Sequence, residues 1–564
     1  MLIAVPYRAL ATQMHQSLRE KFHDYGLDIA CSTSEKSDRD TDICNGDVDI
    51  AIIIYEKLFI FLSENSRFLE HYDYLTLDEI GIIQEIERGI KAELIILHSL
   101  SNPNLHITML ATPYYNWDHY ITQYDLYPIK VYNRPVKVHE YFLKPYNDED
   151  TKSNRQYTNY SLFSANDKKL PFGHCYTFLK SLSVLCQNEF DLNHKVIIFC
   201  FSKKTARERA HTIYQNFKKE KGWHTPTPDE RAKFKEKFLR EYHLTLEELK
   251  GVFDSDEDFD ALQKGITFHC ASLPEAMRIA IESEFLNAAP RVIEGGIKIV
   301  SATETLAFGL NSNVDTIVIV HMKKAQMGEE EKYIEYNLYQ NCIGRAGRLG
   351  FLRYGTSYTF IPTDMLKDNR FQNPVQFYCT KATIRNHAVQ GHFSTILQKP
   401  NWKSLCFCIL NLMSNHNPAS IEEICSKIAG IPSSKPINKT VLLTEVTKAL
   451  QFLQQEKLVC EADDDLLWDN ENEQEHYTIT RKGIAFKSYV ISADSYHIIQ
   501  DAVKCLFENN NCYILDYFLK LSECSEIEVF CRNLFIQKPE RIEYADESAL
   551  NDFTSFMILA ETTL

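Results

Sequence analysis

Residues 74–81 read Tyr74-Leu75-Thr76-Leu77-Asp78-Glu79-Ile80-Gly81, an apolar strand running straight into two adjacent carboxylates. In a parallel sheet the strand's last residues emerge at the carboxyl edge, where ligands bind in open α/β folds. Working outward, Leu2-Ile3-Ala4-Val5, Ile50-Ala51-Ile52-Ile53-Ile54 and Ile107-Thr108-Met109-Leu110 are short apolar runs separated by helical patterns. Such continuous runs suit strands covered by helices on both faces, so the first part of the chain reads as a parallel α/β domain. The pattern restarts at Val196-Ile197-Ile198-Phe199, Thr267-Phe268, Ile297-Lys298-Ile299-Val300 and Thr316-Ile317-Val318-Ile319-Val320, which predicts a second such domain.

The flanking segments differ in texture. Residues 145–170 are polar and rich in Asn, Asp, Lys and Tyr, as a linker or surface excursion would be. Residues 216–262 carry two capping boxes, Thr227-Pro228-Asp229-Glu230 and Thr245-Leu246-Glu247-Glu248, and read as a helical insertion in the second domain. Beyond about 395 the pattern turns helical. Ile421, Ile424, Cys425 and Ile428 form one apolar stripe; Leu442, Val446, Ala449, Leu450 and Leu453 form another. An acidic stretch at 462–475 then leads to the strand-like run Tyr477-Thr478-Ile479-Thr480, and helix, helix, hairpin is the order of a winged helix-turn-helix. The expected organisation is a first parallel α/β domain over 1–140, a second over 141–395, a winged helix over 396–488 and the start of a helical bundle over 489–564.

Composition bounds the class without choosing the partner. The 564 residues are 44% hydrophobic and 24% charged, which suits a folded multi-domain protein and excludes global disorder. Sixty-one Lys and Arg against 77 Asp and Glu leave a net charge of −16, which opposes a uniformly basic surface but not a narrow basic groove. Sixteen cysteines without repeated pair spacing favour reduced thiols over a disulfide framework or a zinc site. No apolar run approaches the roughly 20 residues that cross a bilayer, and no basic segment precedes an apolar stretch at the N-terminus, so neither membrane insertion nor secretion is signalled.

Three motifs carry chemistry. At a sheet edge, one carboxylate of Asp78-Glu79 can hold a hydrated Mg²⁺ while its neighbour orients an attacking water, although a solvated acidic turn reads the same way in isolation. Gly344-Arg345-Ala346-Gly347-Arg348 sets two guanidinium groups three residues apart on a helical turn, a pattern that suits a γ-phosphate and equally a solvated basic turn. Thr303-Glu304-Thr305-Leu306-Ala307-Phe308-Gly309-Leu310-Asn311 follows the strand 297–300 and offers hydroxyls, amides and a glycine to phosphates, or merely caps an αβ loop.

Order and spacing join these motifs. Pro6-Tyr7-Arg8-Ala9-Leu10, Tyr55-Glu56-Lys57-Leu58, Asp78-Glu79-Ile80-Gly81, Leu110-Ala111-Thr112, Val196–Cys200, Phe268–Pro274, Thr303–Asn311 and Gly344–Arg348 occur in the order of helicase motifs Ia, Ib, II, III, IV, IVa, V and VI. With Glu87-Arg88-Gly89, Arg134-Pro135-Val136 and Thr480-Arg481-Lys482-Gly483-Ile484-Ala485, the chain resembles superfamily 2 DExH helicases of the superkiller-type group from residue 1 to about 495. The resemblance implies that Asp78 binds Mg²⁺ and Glu79 serves the hydrolytic water of ATP. It implies that Gly309, Asn341, Arg345 and Arg348 serve the nucleotide, the two arginines at its γ-phosphate. Pro6, Tyr7, Arg8, Ala9, Tyr55, Glu56, Lys57 and Thr303 would then track single-stranded or partly duplex nucleic acid. DNA is favoured over RNA, because a winged helix of about 90 residues leaves no room for the arch insertion of the RNA-processing members. The implied activity is ATP-dependent 3′ to 5′ translocation in genome maintenance or defence, in the nucleus of a eukaryote or the cytoplasm of a prokaryote. The duplex-separating element is expected as a hairpin or loop at 321–330, between motifs V and VI.

Departures from the family pattern leave a second reading open. No GxxxxGK[ST] phosphate-binding loop occurs in the sequence, Gly81 replaces the histidine of DExH, Leu110 replaces the serine of Ser-Ala-Thr, and Asn341 stands where glutamine is usual. The expectation is a truncated gene model, a fragment or a degenerate paralogue. The 564 residues alone would then turn over little ATP, unless an N-terminal segment or protein partner supplied the loop. The rival is an ATPase-deficient nucleic-acid-binding or scaffolding protein that keeps the helicase fold.

Overall fold

A computed structural model describes residues 1–524 except 34–35, 66, 86–87, 113–114, 132–135, 151–154, 172–175, 221, 247–248, 250–251, 254, 271, 287–290, 304–313, 325–331, 335, 348–353, 368–377, 379–388, 416, 434, 463–474, 488–492, 509–519 and 522. Two compact units divide the chain. The first comprises Met1–Thr112, Asn116–Ile129 and Ala388–Leu564; the second comprises Pro113–Tyr115 and Lys130–His387.

The first unit is built on five strands, β1 (Leu2–Val5), β2 (Ile29–Ser32), β3 (Ile50–Ile54), β4 (Tyr74–Leu77) and β5 (His106–Met109), in the order β2-β3-β1-β4-β5. Every pairing is parallel. Leu2, Ala4, Val5, Ile52, Ile53 and Leu77 are fully buried, as strands covered on both faces must be. The outer strand β2 had no counterpart in the apolar pattern, because Ile29-Ala30-Cys31-Ser32 mixes one large side chain with small ones. The later part of this unit is mainly helical. Ser420 and Glu423 form a reciprocal capping box at the helix Ile421–Ala429, and the helix Lys439–Gln455 buries Leu442, Val446, Ala449, Leu450 and Leu453.

In the second unit, β6 (Lys137–Asp150), β7 (Arg155–Ser164), β8 (Lys169–Leu170), β9 (Tyr176–Thr177), β10 (Val196–Phe199), β11 (Ile266–His269), β12 (Ile299–Ala302), β13 (Thr316–Ile319) and β16 (Tyr354–Phe360) form one nine-stranded sheet. Its order is β11-β12-β10-β13-β16-β6-β7-β8, with β9 on β7. Pairings from β11 through β6 are parallel, and those from β6 to β7 and β8 are antiparallel. Both sheets are thus of the parallel α/β kind expected of RecA-like domains.

Residues 145–170, expected as a linker or surface excursion, instead lie largely in the hairpin of β6 and β7. The reason is that β6 is seeded before its polar part: Lys137 to Leu143 pair in register with Tyr354 to Phe360, burying Phe142 and Leu143, and the polar continuation finds its backbone partners on β7. Between β10 and β11, Thr227 and Glu230 cap the helix Pro228–Tyr242 reciprocally, as the first capping box led one to expect, whereas Glu247 and Glu248 of the second lie outside the described residues. After β13, the short strands β14 (Lys323–Lys324) and β15 (Lys332–Tyr333) pair antiparallel as a hairpin. In the first unit, β17 (Ala419–Ser420), β18 (Val459–Glu461) and β19 (His476–Ile479) make a small antiparallel sheet with β19 in the centre.

Candidate functional site

Three segments singled out in the sequence converge in the first unit because β1, β3 and β4 are neighbours. Pro6-Tyr7-Arg8 leaves the carboxyl end of β1, Tyr55-Glu56-Lys57 that of β3, and Asp78-Glu79 that of β4. Tyr7 is the extended N-cap residue of the helix Arg8–Lys21, in whose first turn Ala9 lies, and Tyr55 opens the helix Tyr55–Glu64. The Tyr55 hydroxyl, buried, donates to the Asp78 carbonyl at 2.9 Å, tying the turn after β3 to the turn after β4.

The acidic pair sits on a constrained backbone. The Asp78 amide donates to the Ala4 carbonyl at 2.9 Å, and the Glu79 amide donates to Asp78 Oδ1 at 2.9 Å. Glu79 itself is left-handed, φ 51° and ψ 48°, a conformation that costs a residue with a Cβ about 1 kcal/mol or more. The Ile80 amide then donates to the Leu110 carbonyl at 2.9 Å. The turn after β4 is thereby tied to the end of β5 through main chain, which a leucine supplies as well as a serine.

Arg88 joins the remaining parts. Its Nε donates to Glu56 Oε1 at 2.6 Å, its NH2 group donates to the Pro6 carbonyl, Glu85 lies 3.6 Å away, and the guanidinium covers the Tyr7 ring at 5.1 Å. The side chain is 19% exposed, so these contacts are only partly screened. Burial, with Glu85 next, pushes the Tyr7 phenol above its ordinary pKa and keeps it protonated. The motif Glu87-Arg88-Gly89 had signalled this residue without a role. Glu87 is outside the described residues, while Gly89 is demanded by packing: a Cβ there would stand 2.2 Å from the Ile83 carbonyl oxygen.

Lys57 is differently placed from its expected role as a phosphate cation. Its Nζ donates to Asp40 Oδ2 at 2.6 Å, each side chain 20% exposed, while Ser32 donates to the other Asp40 oxygen at 2.6 Å. Any phosphate contact by Lys57 competes with this pair. Arg8 is exposed on the first turn of its helix.

The second unit separates its candidate residues to opposite sheet edges. Thr303, buried, follows the carboxyl end of β12 and its amide donates to the His269 carbonyl at 3.2 Å. Asn341 lies in the helix Tyr336–Ile343. The helix ends at Ile343, so Arg345 occupies the turn beyond it rather than the helical turn expected for the pair. Ala346 bridges Val314 in parallel, the Gly347 amide donates to the Val314 carbonyl at 2.9 Å, and Val314 precedes β13; Arg345 is therefore at the amino edge. Gly347 enforces this exit with φ 71° and with a Cβ position only 2.7 Å from the Gly355 nitrogen and from Val136 Cγ1. Arg348, Gly309 and Asn311 lie outside the described residues.

The donor chemistry at β4 fits a hydrated magnesium ion. Two hard carboxylates stand side by side, no larger cluster of His, Cys, Asp or Glu suited to a metal occurs among the described residues, and Mg²⁺ is ordinarily held by one or two carboxylates with water and substrate phosphates. Among the described residues no helix is long and apolar enough to cross a membrane.

The family described as DEAD/DEAH box helicase matches residues 1–116. An ATP-dependent DNA helicase Hel308 from Methanococcus vannielii is 24% identical over 478 residues, covering 82% of this chain and 56% of that protein. The human exosome RNA helicase MTR4 is 24% identical over 370 residues, covering 61% of this chain and 32% of its own length. The DExH-box ATP-dependent RNA helicase DExH10 of Arabidopsis thaliana is 24% identical over 420 residues, covering 66% and 38%. The chain thus spans about half or less of the length of these relatives. The resemblance to superfamily 2 DExH helicases of the superkiller-type group is borne out.

Proposed function

We propose that this chain is the core of an ATP-dependent nucleic-acid translocase or helicase acting on single-stranded or partly duplex DNA. The observation that carries the reading is the convergence of Pro6–Arg8, Tyr55–Lys57 and Asp78-Glu79 at one carboxyl edge, bound together by Arg88 and Tyr55. One edge can then couple a strand to a nucleotide. Asp78 would hold hydrated Mg²⁺, which when bound supplies positive charge to the phosphates of ATP; Glu79 orients the attacking water; Gly309, Asn341, Arg345 and Arg348 serve the nucleotide, the two arginines at its γ-phosphate. Pro6, Tyr7, Arg8, Ala9, Tyr55, Glu56 and Thr303 follow the strand backbone, with Lys57 joining only when it leaves Asp40. The helices 421–429 and 439–455 with β17–β19 act as a winged helix bracing the motor, the hairpin of β14 and β15 parts the duplex, and movement is 3′ to 5′. DNA is preferred over RNA partly because the DNA helicase relative aligns with the largest share of this chain among the three compared. The setting is intracellular genome maintenance or defence.

The lack of a GxxxxGK[ST] sequence favours one specific alternative, a strand-binding scaffold with little ATP turnover by these 564 residues. The test is strand-stimulated ATPase of residues 1–564, of the same chain with any upstream coding sequence added, and of each with Glu79→Gln. Turnover abolished by Glu79→Gln supports the motor; strand binding with no turnover in either chain supports the scaffold. In both cases strand affinity must fall from low to moderate salt, and no binding at low salt refutes both.

A further inference from the structure

A cavity of about 520 Å³ opens in the second unit at the carboxyl ends of β10, β13 and β16, away from Arg345 and unused by the reading above. That size is within the usual range for small-molecule sites. Its wall is aromatic. Phe178 meets the Phe360 ring edge-on at 4.9 Å, Tyr160 meets Phe360 at 5.3 Å, and His321 lies 6.3 Å from Phe178. Tyr160 comes from β7 and Phe178 opens the helix Phe178–Asp191, so the hairpin found in place of the expected linker contributes one ring to the wall.

Polar side chains stand among these rings. Arg209 lays its guanidinium over Phe178 at 5.1 Å, and its Nε is buried without a hydrogen-bond partner among the described residues. The hydroxyls of Ser202 and Thr205 and the His321 ring also line the cavity, whereas the charge of Lys323 is matched by Asp364. The backbone here is strained: Phe201, two residues after β10, has φ 53°, a left-handed conformation that bulky residues rarely adopt.

Aromatic faces, one stacked guanidinium and a few hydroxyls are the chemistry that receives a heteroaromatic ring carrying hydrogen-bonding edges. We infer that this cavity is a nucleobase-binding pocket, holding a base splayed from the strand or the base of a free nucleotide. The strand source rests on the proposed nucleic-acid function; the free nucleotide source does not. Base stacking of this kind is tolerant of sequence, because every base presents a π-face.

The test uses the full chain, a single-stranded oligonucleotide carrying one 5-iodouracil, and free thymidine 5′-monophosphate. Irradiation should join the iodouracil to a peptide containing Tyr160, Phe178 or Phe360. Arg209→Gln should lower the yield by about fivefold or more, and Thr205→Trp, which fills the cavity, should abolish it; if Thr205→Trp fails to fold, Arg209→Gln decides. Saturation transfer to the thymine ring protons, lost in the same variants, assigns the pocket to free nucleotides as well, and cross-linking without that transfer assigns it to a strand. A bound strand that cross-links only elsewhere, or with unchanged yield in Arg209→Gln, overturns the strand source, and no variant-sensitive transfer to the free nucleotide then overturns the pocket. If no strand binds at low salt the proposed function fails, and the pocket stands or falls on the nucleotide signal alone.

Discussion

Glu93, fully buried in the helix Gly89–Leu100, faces a helix some 300 residues later in the chain. Its Oε2 accepts the Phe393 amide at 2.8 Å and the Ser394 amide at 3.4 Å; its Oε1 accepts the hydroxyls of Tyr120 and Ser394, each at 2.8 Å. Ser394 has one hydroxyl proton but also contacts the Pro432 carbonyl, so a carboxyl that brings its own proton satisfies the network more fully. Burial, against these hydrogen bonds, raises the Glu93 pKa from 4.5 to about 7. A rise of that size is worth about 3 kcal/mol. The sign follows from the folded state holding the proton longer: the contribution is fully present below pH 4.5 and is lost as pH rises through 7. Glu93→Gln keeps the shape and cannot ionise, so it should gain on the native chain between pH 5 and pH 8. In melting temperature of the first unit, which spans about 300 residues, this is roughly 5 °C at an unfolding entropy of about 2.1 cal/mol/K per residue. Tyr120, Tyr124 and Cys408, which feel Glu93, are pushed upward by burial and stay neutral across that window. Calorimetry of both chains at matched pH values measures the difference. A gap that stays constant from pH 5 to pH 8 would refute the reasoning.

Other perturbations probe separate links. Arg88→Ala should leave Glu56 without its partner, weaken strand binding several-fold and lower the first unit's melting temperature; Arg88→Lys should not rescue it, since a point charge cannot serve Glu56 and the Pro6 carbonyl together, and full rescue would show that charge alone matters. Gly347→Ala should cost the second unit about 1–2 kcal/mol or more, through φ 71° and the approach to Gly355, and an unchanged melting transition would remove that account of the turn. Lys487 is buried and donates to the Met413 carbonyl at 3.0 Å and to Asn415 Oδ1 at 3.1 Å, and burial lowers its pKa from 10.5 to about 8. Its charged form is the costly one, so Lys487→Met should lose ground to the native chain as pH rises from about 8 to 10.5; a pH-independent difference over that range would contradict it.

What could be read along the chain was whatever depends on neighbours in sequence. Continuous apolar runs revealed β1, β3, β4, β10 and β13, and the position of Asp78-Glu79 at a strand end followed from the run before it. Strand β2 stayed hidden because small residues suffice at an outer strand, and β6 with β7 because backbone pairing needs no apolar signal once Phe142 and Leu143 have anchored the first half.

Charge was the least legible property, because its meaning depends on partners that sequence spacing does not show. Lys57 reads as a free cation beside a helicase motif, yet Asp40, 17 residues earlier, already matches it. Arg88 reads as one basic residue in a short motif, yet it reaches 82 residues back to Pro6 and 32 back to Glu56. The two cases point in opposite directions for a protein with a net charge of −16. A cation already paired in the fold adds less to strand affinity, because binding must break its ion pair, whereas a cation that holds two motif loops in register acts on binding without touching a phosphate. The salt slope of strand binding should therefore count fewer cations than the motifs contain. Asp40→Asn, which releases Lys57, should steepen that slope, and a slope unchanged by this substitution would place Lys57 outside the strand path.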